Sequence, residues 1–94
     1  MATFDIGESV ICSVEIKDDN AVLKDPATSM NIVIDQLKPS FENIITSTAM
    51  TKDSTGKYHY DFASAGKAAG EYQAVYTATD GTRITIEKDK FSLE

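Results

Sequence analysis

The chain has 94 residues, enough for one domain and too few for a second core. Hydrophobic residues make up 41% and charged residues 26%, which is too apolar for a disordered chain. A formal charge of −6 works against phosphate backbones and anionic lipid, no apolar run approaches the ~20 residues of a membrane-spanning helix, and nucleic acid and membrane are excluded as expected partners.

The start, Met1-Ala2-Thr3-Phe4-Asp5, carries no basic region followed by an apolar stretch, so synthesis in a cytoplasm without a secretory leader is expected. Val10, Cys12, Val14 and Ile16 alternate with Ile11, Ser13, Glu15 and Lys17, the period of a strand with one buried face. Cys12 is the only cysteine, so no internal disulfide forms and stability must come from packing. Asp18-Asp19-Asn20 is a run of turn formers that ends this strand.

Asp25-Pro26 breaks the chain again, and Met30, Ile32 and Ile34 then alternate with Asn31, Val33 and Asp35 in a second strand closed by Lys38-Pro39-Ser40. Ile44 to Met50 is rich in Ile and Thr and predicts a strand. Thr51 to Gly56 is polar and predicts a turn. Tyr58, Tyr60 and Phe62 follow on one face of a strand, opposite Lys57, His59 and Asp61. Ala63 to Gly70 is a stretch of small residues whose two glycines favour a loop over a helix.

Tyr72, Ala74, Tyr76 and Ala78 mark a further buried strand face, ending at the hairpin signal Asp80-Gly81, with Ile84 and Ile86 on the returning arm. Phe91 and Leu93 predict a short last strand after Lys88-Asp89-Lys90, where mixed charge suits a sheet edge. The expected fold is one immunoglobulin-like β-sandwich of about seven antiparallel strands spanning residues 1–94. Gly56-Lys57-Tyr58 and Gly70-Glu71-Tyr72 then become two glycine turns that each feed an aromatic ring into the core, with a hydroxyl free to bond nearby backbone.

No arrangement of residues suggests catalysis. His59 is the sole histidine and lies opposite the aromatics, while Cys12 faces the expected core, so the pair cannot act as base and nucleophile. Asp18, Asp19, Asn20 and Asp25 gather oxygen ligands around one loop, but they lack the glycine and terminal Glu of an EF-hand, and a solvated turn is expected. No cofactor or metal is assigned. The candidate partner-binding residues are Phe41, Pro39 and Asn43, because a large aromatic beside a proline in a loop is either a core plug or a contact anchor.

The order of Asp5-Ile6-Gly7-Glu8, Asp25-Pro26, Thr55-Gly56-Lys57-Tyr58, Gly70-Glu71-Tyr72 and Phe91-Ser92-Leu93 resembles small immunoglobulin-like proteins of the head and tail regions of tailed bacteriophages. It departs from that pattern at Asn20-Ala21, where a glycine is usual, and at Tyr72, where many relatives carry Trp. The resemblance implies a virion protein, a capsid decoration or head-tail assembly module whose partners are phage capsid or connector proteins. The alternative is a cell-surface or adhesin-type module binding a host protein or glycan. A third possibility is an inhibitor that inserts an aromatic-tipped loop into an enzyme cleft. A monomer and a trimer both remain open.

Overall fold

The computed structural model describes residues 2–18 and 20–94, so the expectations resting on Met1 and Asp19 lie outside the described residues. Eight strands are present among these: β1 (Ala2–Phe4), β2 (Ser9–Glu15), β3 (Ser29–Lys38), β4 (Glu42–Ala49), β5 (Thr51–Ser54), β6 (Lys57–Ala63), β7 (Gly70–Asp80) and β8 (Arg83–Leu93). They form two sheets, ordered β1-β8-β7-β3-β4 and β2-β6-β5, and no helix lies among the described residues. The protein is an all-β sandwich. Hairpins join β3 to β4, β5 to β6 and β7 to β8, while the connections after β1, β2, β4 and β6 cross between sheets.

Period-two patterning places the core. Met30, Ile32, Ile34 and Gln36 on β3 face Tyr72, Ala74, Tyr76 and Ala78 on β7, and all eight are buried. Val10 and Cys12 on β2 and Tyr58 and Phe62 on β6 close over them from the smaller sheet. At one end the Tyr72 and Phe91 rings stack with centroids 5.5 Å apart and planes 8° apart, and Phe62 leans on both at 6.0–6.2 Å. Burying an aromatic of this size contributes about 1.5–3 kcal/mol, so this cluster is a main source of stability in a chain without a disulfide.

Four expectations are corrected. The strands are not all antiparallel: β1 runs parallel to β8, with Ala2 opposite Phe91 and Phe4 opposite Leu93. Thr51 to Gly56 is not simply a turn, because Thr51–Ser54 pairs with β6; its side chains are exposed on both faces, so no apolar alternation betrays the strand. Lys88-Asp89-Lys90 does not interrupt the chain's last element, which pairs with β7 continuously from Arg83 to Leu93. The β7–β8 turn is Gly81-Thr82, one residue later than the Asp-Gly signal implies, since Asp80 already pairs with Arg83. Gly81 has φ +63° and Thr82 does not share a positive φ, which fits a turn that needs glycine first.

The paired glycine-aromatic turns form as the sequence suggests. Tyr72 donates its hydroxyl to the Ala68 carbonyl at 2.6 Å, holding the 64–70 loop against the start of β7, as tyrosine corners do. Tyr58 instead donates to a side chain, the Asp25 carboxylate, at 3.2 Å.

Candidate interaction surface

Phe41 sits at the tip of the β3–β4 hairpin and is 70% exposed, so it is not a core plug. Its loop is built from below. Gln36, buried on β3, donates Nε2 to the Lys38 carbonyl at 3.1 Å. Pro39 follows a cis peptide bond and packs beside Gly70, where an added Cβ would meet the Lys38 carbonyl and come within 3.3 Å of the proline ring. Asn43 donates Nδ2 to Asp35 Oδ1 at 2.9 Å and to the Ile45 carbonyl at 3.3 Å, and accepts the Thr46 hydroxyl at 3.2 Å. The three candidate residues therefore share one hairpin but divide the work. Asn43 pins the hairpin's arms, Pro39 sets the loop against β7, and Phe41 projects a large apolar ring into solvent.

The chemistry-bearing side chains elsewhere are engaged within the protein. Ser13 pairs with His59 and Cys12 with Tyr60, so His59 and Cys12 lie on opposite faces of the smaller sheet and cannot meet. His59 Nδ1 is 2.6 Å from Asp53 Oδ1, and its side chain is partly covered, more than the exposed position expected. Cys12 is buried beside Tyr76, and burial pushes its thiol up to about 11, the state of an inert core cysteine. Asp18 Oδ1 accepts the amides of Asn20 and Val22 at 2.8 and 3.1 Å, closing the turn. Asp25 meets three donors: Lys52 Nζ at 2.6 Å, the Gly56 amide at 2.7 Å and the Tyr58 hydroxyl. The Lys52 bond, then the Gly56 amide, hold its carboxyl below the usual range. No group of three or more His, Cys, Asp or Glu side chains able to hold a metal occurs among the described residues.

A second surface was not legible in the sequence. Among the described residues, β1 covers only Phe91 to Leu93, and the rest of β8's outer edge has no neighbouring strand. Arg83 to Lys90 are all exposed, with Ile84 at 64% and Ile86 at 56%. β2 is also an edge strand, and between it and β8 runs an open groove of about 460 Å³ lined by Val14, Ile16, Tyr76, Thr85, Glu87 and Asp89. The lysines and acids of β8 did signal an edge, but nothing in the sequence says how little of that edge β1 covers. Comparison of the chain with protein-family models, curated proteins and solved structures found no match.

Proposed function

We propose that the chain is a non-enzymatic structural or binding module of a tailed-phage particle, made in the host cytoplasm and incorporated into the virion as a capsid decoration or head-tail assembly protein. Its partner is a phage capsid or connector protein. The ordered motifs from Asp5-Ile6-Gly7-Glu8 to Phe91-Ser92-Leu93 supply the virion part of this proposal.

The observation that supports docking is the exposed Phe41 ring on a braced hairpin tip. An aromatic held on a rigid support loses little conformational freedom on binding and offers a large apolar area to a pocket. The acidic surface favours basic protein patches. Many copies on one shell would also gain avidity from a weak individual contact.

Co-sedimentation with undecorated capsids of the source phage, across a salt series and against a capsid-free control, tests the proposal. Saturable pelleting at a fixed ratio to the capsid subunit supports decoration. Folded protein that stays in the supernatant at every concentration removes decoration and leaves a tail, assembly or host-surface role.

A further inference from the structure

The free part of β8's edge has a defined polarity of backbone groups. Glu94, immediately after β8, donates its amide to the Phe4 carbonyl and accepts the Ile6 amide, both at 3.0 Å, so its backbone groups point toward β1. Backbone groups alternate sides along a strand, and β8 pairs with β7 without a register shift. Ile84, Ile86 and Lys88 therefore aim their N–H and C=O groups at the same edge as Glu94, beyond the stretch that β1 occupies. Side chains alternate as well. Ile84, Ile86 and Lys88 lie on the outer face of the sheet, while Arg83, Thr85, Glu87 and Asp89 share the inner face with Phe91.

The geometry points to a second copy of this chain as the occupant of that edge, joined by antiparallel β8–β8 pairing about a two-fold axis at Ile86. In this register Ile86 faces Ile86, Ile84 faces Lys88, Thr85 faces Glu87 and Arg83 faces Asp89, with each unlike pair repeated by symmetry. Directly opposite residues are the closest side-chain neighbours in a sheet, and the register sets Arg83 opposite Asp89 twice and Ile86 opposite Ile86 once, with no like charges opposed. The backbone agrees, because Ile84, Ile86 and Lys88 are the residues with outward-facing groups, and here they pair only with one another.

Neighbouring registers are poorer. Centring on Glu87 sets Glu87 against Glu87, and centring on Lys88 sets Lys88 against Lys88. Centring on Thr85 pairs only 83–87 before the strands run into their turns, against 83–89 for the Ile86 register. Pairing in this register ends at Asp89, short of Phe91, where Ala2 of β1 already holds the edge. This pairing does not depend on the virion role.

Sedimentation equilibrium over a concentration series, with circular dichroism to confirm folding, tests the proposal. The wild type should form a concentration-dependent dimer. Ile86→Pro removes an edge donor that the monomer does not use, and should abolish the dimer while leaving the fold intact. Asp89→Arg and Arg83→Asp should each weaken association about tenfold by placing like charges opposite one another twice, and the double exchange should restore it. A wild type that stays monomeric up to about 1 mM overturns the pairing. So does a dimer indifferent to Ile86→Pro, or singles that dissociate without rescue by the double exchange. Pairing of this edge only with a strand of a different protein, with no self-association, also overturns it.

Discussion

Asp25 Oδ1 lies 2.7 Å from the Gly56 backbone nitrogen, tying the segment before β3 to the turn between β5 and β6 across the end of the sandwich. The same carboxylate takes Lys52 and the Tyr58 hydroxyl, so one acidic side chain organises a loop that its sequence neighbours made resemble a cation site. Its folded-state pKa is depressed, and the unfolded chain therefore binds a proton first as pH falls. The stabilisation is fully present above about pH 4, the unfolded value, and is lost as pH drops through the lower folded value. Asp25→Asn should flatten the acid limb of a plot of melting temperature against pH while leaving the neutral-to-alkaline limb parallel to wild type. An unchanged acid limb would show that the contact contributes nothing.

Tyr72 combines a fully buried ring with a hydroxyl bonded to Ala68. Tyr72→Phe keeps the stack on Phe91 and removes only the bond, at a cost of about 0.5–1.5 kcal/mol. Tyr72→Ala also empties the ring's volume and should cost about 3–5 kcal/mol. Urea titrations with unchanged slope would report both directly.

Gly70 and Gly56 tolerate no side chain, for the same steric reason. A Cβ on Gly70 would collide with the Lys38 carbonyl, and one on Gly56 would sit 2.7 Å from the Ile16 carbonyl with φ at +73°. Gly70→Ala and Gly56→Ala should each destabilise by about 1–3 kcal/mol, whereas Gly66→Ala, with open space around it, should lose less by the same urea assay.

Cys12 should resist a thiol reagent at pH 8 in the folded protein and react quickly in denaturant, because the thiolate is scarce and the sulfur buried. With the folded pKa raised to about 11, the native state holds its proton longer than the unfolded one. The linked stability is therefore complete below about pH 8.5 and declines between there and the folded value. Cys12→Ala should remove that component of the alkaline decline in a melting series.

Phe41→Ala should leave urea stability within about 0.5 kcal/mol of wild type, since the ring is mostly in solvent. The same variant should lose pelleting with capsids. Retained pelleting would move the contact to another face.

Much of the sandwich was legible because a half-buried strand writes its burial into alternate residues. The faces of Val10 to Ile16, Met30 to Ile34, Tyr58 to Phe62 and Tyr72 to Ala78 could be assigned from that period alone. Thr51–Ser54 and the parallel pairing of β1 were hidden, since an edge strand exposed on both faces needs no alternation and a three-residue strand is too short to display one.

Sequence by itself determined which faces of the main strands enter the core and that Cys12 and His59 point to opposite faces, because these follow from the two-residue repeat. Only the tertiary structure decided that Phe41 stands in solvent, that Asp25 is spent on Lys52, Gly56 and Tyr58, and that most of β8 presents an open edge. Those outcomes depend on contacts between residues far apart in the chain, and local pattern carries no record of which distant strand, loop or donor arrives beside a given side chain.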